Sequence, residues 1–137
     1  MRIEPYLSFG GRCEEALAFY ALCLDGRIVA VNRFAGSPMD VPRLPPEWRD
    51  KILHAELQAE GCRILASDGM PGAAPPAFSG ITLALDFAED KQRAQRVFDA
   101  LAQGGQVRMP LAPKFWGSAM GMLHDRFGVP WMVSCAP

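Results

Sequence analysis

Two hydrophobic periods alternate along the chain. "RIEPYLSF" (residues 2–9) reads as a strand, with alternate side chains sharing a face. In "GGRCEEALAFYALCLDG" (10–26), Ala16, Phe19, Tyr20 and Cys23 recur at helical spacing, which predicts a helix with one face on a sheet and an end at Gly26. "RIVAVNRF" (27–34) returns to the strand period. A proline-rich loop follows, "AGSPMDVPRLPPEWRD" (35–50), with room for one helical turn near Trp48. "KILHAELQAEG" (51–61) and "CRILASDG" (62–69) are two more strands, joined by a turn at Glu60-Gly61. The order is βαβββ.

Three prolines in "MPGAAPPAFS" (70–79) interrupt the pattern and mark a linker. The order then starts again. "GITLALDF" is a strand. "AEDKQRAQRVFDALAQGG" is a helix with Ala94, Val97, Phe98 and Leu101 on one face and Gly104 or Gly105 at its end. "QVRMPLAPKFW", "GSAMGMLHDRF" and "PWMVSCA" supply three strands, the middle one softened by Gly117 and Gly121. Few identities link the halves, so a tandem duplication rests on element order. The chain is expected to form a single domain over 1–137, α+β in class, from two βαβββ modules at about 1–69 and 79–137.

The strand over 51–61 carries the first candidate chemistry. Leu53, Ala55, Leu57 and Ala59 alternate with Ile52, His54, Glu56 and Gln58. The apolar set is expected to pack under a helix. His54, Glu56 and Gln58 then share the other face, either as part of a metal site or as the polar side of a pocket, a solvated strand or a dimer contact.

Composition narrows the classes. Half of the 137 residues are hydrophobic and 21% are charged, with a net charge of −1 and no basic run. That is ordinary globular composition and argues against nucleic acid as a partner. No apolar run approaches a membrane span, and the N-terminus lacks a signal-peptide core. A cytoplasmic protein is expected. Cys13, Cys23, Cys62 and Cys135 are widely spaced with no CxxC pair, as for small apolar residues in a reducing compartment.

"PYLSFGG" with "EALAFY", "LHAELQAEG" with "SDGMPG", and "FWGSAMGMLHDRFGVPWMVS" together resemble the PhnB-like family of the vicinal oxygen chelate superfamily. That superfamily includes glyoxalase I, extradiol dioxygenases and bleomycin-resistance proteins. The resemblance spans essentially the whole chain, and its last motif is the most specific. It implies paired modules forming curved mixed sheets around a cleft, the glyoxalase/bleomycin-resistance-like fold, usually in a homodimer.

The resemblance also implies where metal-using members place ligands for a divalent ion, on the first and last strands of each module. Here those places hold Pro5, Glu56, the neighbourhood of Gly80 or Ile81, and Met132. Only Glu56 matches in type, which makes it the weak candidate metal ligand. His54 inherits no ligand place, and His124 reads as a turn residue. Met132 carries a soft thioether, poorly suited to a hard ion held by Glu56.

Carrying the face assignment to the outer strands puts Pro5, Leu7 and Phe9, then Met132 and Ser134, on the cleft side. Trp116 is placed either to stack on a planar ligand or to pack in the core. The favoured reading is a small-molecule binding protein with a largely apolar cleft, an incomplete metal site and no assured cofactor. Its ligand residues would be His54, Glu56, Gln58, Leu7, Phe9, Trp116 and Met132. The alternative is a metal-dependent lyase, isomerase or dioxygenase using Glu56. A ubiquinone-type methyltransferase is disfavoured: "FGGRCEE" has glycines after a strand, but Val29 to Phe34 offer no acidic residue. An interaction module, with its dimer surface as the function, is a further class.

Overall fold

Each helix needs a sheet on which to bury its apolar stripe, and each half of the chain supplies one. The computed structural model describes residues 1–137 and divides them into two compact units, Met1–Pro76 and Ala77–Pro137. The first unit contains β1 (Tyr6–Ser8), α1 (Cys13–Cys23), β2 (Arg27–Arg33), a 3-10 turn at Pro46–Trp48, β3 (Ile52–Ala59) and β4 (Cys62–Ser67). Its four strands lie in the order β1-β4-β3-β2. β1 runs parallel to β4, and the other pairs are antiparallel.

The second unit repeats this plan. It contains β5 (Leu83–Asp86), α2 (Lys91–Ala102), β6 (Gln106–Pro113), β7 (Ala119–His124) and β8 (Pro130–Cys135), in sheet order β5-β8-β7-β6. β5 is parallel to β8, and the other pairs are antiparallel. The fold is therefore α+β, with two βαβββ modules and two open four-stranded mixed sheets. No helix is long and apolar enough to cross a membrane.

In α2, Ala94, Val97, Phe98 and Leu101 are all buried, as their spacing predicts, and Asp90 caps the helix by accepting from Arg93 N–H at 3.0 Å. In α1 the buried set is Cys13, Ala16, Leu17, Tyr20 and Cys23, with Phe19 only half-buried. Arg12 stands at the N-cap and supplies no side-chain cap. The cap comes instead from Asp68, just past β4. Its Oδ1 accepts from Gly11 N–H (2.7 Å) and Cys13 N–H (2.8 Å), and its Oδ2 accepts from Ile52 N–H (2.7 Å). One buried carboxylate thus ties the start of α1 to the start of β3.

α1 stops at Cys23, and the left-handed residue before Gly26 is Asp25 (φ 52). Gly26 is required because a Cβ there would lie 2.8 Å from the Gln58 carbonyl oxygen.

Candidate functional site

Strand alternation and register decide which side chains meet on the open face of each sheet. On β3, Ala55 and Leu57 are fully buried beneath α1, while His54, Glu56 and Gln58 lie on the opposite face. Ile52 and Leu53 depart from the expected alternation, Ile52 being buried and Leu53 half-exposed. The cause is an irregularity in the β2–β3 ladder between Asn32 and Arg33, which shifts the phase at the start of β3.

The first strand needs the same kind of correction. Leu7 and Phe9 do not share the face of His54. Both are buried on the helix side, in a row where Leu7 pairs with Ala66 and Ala66 with Ala55, and the Phe9 ring lies 6.1 Å from that of Tyr20. Tyr6, like Ser8, lies on the open face of β1. Its hydroxyl lies 3.2 Å from His54 Nδ1, with ring centroids 5.7 Å apart. Next to β1, Pro5 accepts a backbone bond from Leu65 N–H at 3.0 Å.

Glu56 is held by its neighbours. Arg63 Nη2 donates to Oε2 at 2.7 Å, Arg63 Nε lies 2.7 Å from Oε1, and Gln58 Nε2 donates to Oε1 at 2.9 Å. Arg63 also bonds Glu4 at 3.3 Å. The bond from Arg63 and then that from Gln58 hold the Glu56 carboxyl below its ordinary range. Arg63 belongs to this site, yet β4 carries no sequence signal for it beyond its place opposite Gln58.

This donor set does not fit a divalent ion. Both oxygens of Glu56 are engaged by Arg63 and Gln58, and His54 Nδ1 faces the Tyr6 hydroxyl. No group of three or more His, Cys, Asp or Glu side chains is arranged to hold a metal. At the β2 edge of this sheet a groove of about 520 Å³ is lined by Val31, Asn32, Arg33, Pro38, Leu53 and His54, among others.

The second sheet presents a different face. Trp131, Val133 and Cys135 of β8 are buried, while Met132 and Ser134 point the other way. Ser134 Oγ lies 3.4 Å from Asp86 Oδ1. Trp116 is neither core nor strand. It lies 51% exposed between β6 and β7, its Nε1 donating to Ser118 Oγ at 3.0 Å and its ring edge-on to Phe115 at 4.8 Å.

The motif "DRFGVPW" proves architectural. Asp125 is buried, and its Oδ1 accepts from Phe127 N–H (2.8 Å) and Val129 N–H (3.0 Å) while its Oδ2 accepts from Trp131 Nε1 (2.8 Å). The motif builds the β7–β8 turn and supplies the partner a buried indole needs.

Paired βαβββ units of this kind define the class. The fold is shared with a glyoxalase/bleomycin resistance protein from Albidiferax ferrireducens T118 (TM-score 0.64, 14% identity, 98% of each chain covered). Within it the chain belongs to the PhnB-like family, whose family model, described as 3-demethylubiquinone-9 3-methyltransferase, matches residues 1–134. It is 34% identical to protein YjdN of Escherichia coli K12 over 141 residues, which cover 98% of this chain and 95% of that one. The structure of PA1353 from Pseudomonas aeruginosa is 42% identical, with TM-score 0.86 and coverage of 99% and 98%. The PhnB protein of Bacillus cereus is 26% identical, with TM-score 0.78 and coverage of 99% and 100%.

Proposed function

We propose that the protein binds a small molecule on the open face of its first sheet without a resident divalent metal, acting as a cytoplasmic homodimer. The observation that carries this reading is the engagement of Glu56 by Arg63 and Gln58. Glu56 stands on β3 rather than on β4, the last strand of its module, and its carboxylate is an anchor for an arginine. A groove with apolar walls from Val31, Leu53 and Pro38 and polar groups from Asn32, Arg33, Ser37 and His54 has the mixed lining that small ligands use for affinity and orientation. On the second unit, the exposed indole of Trp116 offers a stacking surface of its own.

Native mass spectrometry of the purified protein tests this. The expected result is a copurifying or added small molecule bound at one per chain, with substoichiometric divalent metal. His54→Ala should weaken binding at least tenfold, and Glu56→Ala should leave it within a few-fold. A stoichiometric divalent ion that survives chelation and disappears in Glu56→Ala would overturn the reading in favour of a metal-dependent lyase, isomerase or dioxygenase.

The family description names a methyl transfer, and the local geometry offers that chemistry little. A nucleotide-type cofactor would use the N–H groups where the Gly10-Gly11 turn enters α1. Asp68 already takes the N–H groups of Gly11 and Cys13 there. Calorimetry with S-adenosylmethionine is expected to give no binding heat.

A further inference from the structure

Four of the seven methionines stand on the open face of the second sheet. Met109 on β6 is in register with Met122 on β7, and Met122 with Met132 on β8. Met120 precedes Met122 by two residues and His124 follows it by two, so both share its face. Gly121 and Leu123, the intervening residues of β7, are buried on the helix side. Gly121 fixes this phase, since a Cβ there would lie 2.7 Å from Phe98 Cε2 on α2 and 2.8 Å from the Leu111 backbone. All four methionines and His124 are only half-buried, and Ala84, in register with Met132 on its other side, is small and exposed. The row is open at that end.

We infer that this row is a binding site for a soft monovalent cation, Cu(I). Side chains directly opposite on neighbouring strands have Cβ atoms about 4.5–5.5 Å apart. Methionine adds an unbranched chain with three rotatable bonds, so the three thioethers of Met109, Met122 and Met132 can turn toward one point above Met122. Met120 and His124 flank that point along β7, about 7 Å to either side, giving a fourth sulfur and an imidazole within side-chain reach. Neutral thioethers are poor ligands for hard divalent ions and select Cu(I). Met132 thus stands at one end of a row of matching soft donors. The inference does not depend on a ligand at the His54 groove.

Anaerobic titration of the full chain with Cu(I), in competition with a chromogenic Cu(I) chelator, is the test. One Cu(I) per chain is expected, with an X-ray absorption spectrum dominated by sulfur. Met122→Leu and Met132→Leu preserve apolar volume and should each weaken Cu(I) at least tenfold with the far-ultraviolet circular dichroism unchanged. Glu56→Gln should have no effect. Three results would overturn the site: no Cu(I) held against the chelator, equal binding in both leucine variants, or binding lost in Cys62→Ser rather than in the methionine variants. Retention of an apolar dye on this face with no Cu(I) bound would likewise reduce the row to a hydrophobic surface.

Discussion

Asp68 does more for this fold than any residue the chemistry would pick out. Its carboxylate satisfies three backbone N–H groups from two elements while only 2% exposed. Asp68→Ala leaves those donors buried without their acceptor, and a loss of roughly 3 kcal/mol is expected from the cost of such orphaned groups. Urea unfolding measures it. Cys13, beside it, has its thiol pushed up to about 12, first by burial and then by the charges of Asp68 and Glu14. It should therefore resist alkylation in the native protein at pH 8 and react only on unfolding, as mass mapping with iodoacetamide would show.

Glu56 gives a prediction in pH. Its folded pKa lies below the ordinary 4.5, so the stability it contributes is present above that value and is lost as pH falls through the folded one. The stability gap between wild type and Glu56→Gln, measured by thermal melts, should therefore be widest near neutrality and close only as pH falls below 4.5 and through the lowered folded value. The direction of His54 and Glu56 was readable in the sequence, because alternation alone fixes which β3 residues share a face. Their partners were not. Tyr6 and Arg63 come from β1 and β4, and finding them requires knowing that β1 lies beside β4 in this phase.

Among the elements, phase separates what was legible from what was not. Helix α2 followed its spacing because no other element alters which face it turns inward. β1 is only three residues long, too short for alternation to fix its face, and the cleft-side assignment of Leu7 and Phe9 was off by one residue. The Met row was written in "AMGMLH" as clear alternation, yet Met109 joins it only through the β6 irregularity between Val107 and Met109. Gly121 is the element-scale test. Gly121→Ala forces a methyl into Phe98 and the Leu111 backbone and should destabilise the second unit by about 1–3 kcal/mol, as overpacking does. Chemical denaturation would register it.

The proline-rich loop is also better held than its composition implies. Asp40 accepts from Gly36 N–H and from Arg49, which lowers its pKa to about 2, and Trp48 Nε1 reaches the Gly69 carbonyl at 3.1 Å. The clip between Asp40 and Arg49 should persist until pH approaches that value.

For the whole molecule, the order of elements was the most readable property, since glycine and proline mark where each period stops. Strand order within each sheet was not, because a parallel β1–β4 pair is a long-range contact with no local signature. Residues 72–77 are exposed and lie outside any helix or strand. A broad-specificity protease should nick the chain first between Met70 and Ser79, and mass spectrometry of the products would locate the cut.

The two modules share a plan but start their helices differently. α2 takes its cap from Asp90 at its own N-terminus, whereas α1 waits for Asp68, 55 residues after Cys13. On a ribosome, the first module's helix therefore emerges without its anchor and gains it only when the last strand of that module has been made. The second module's helix carries its own from the moment it forms. Translation, which exposes the N-terminal half first, thus delivers the half whose completion depends on its final residues.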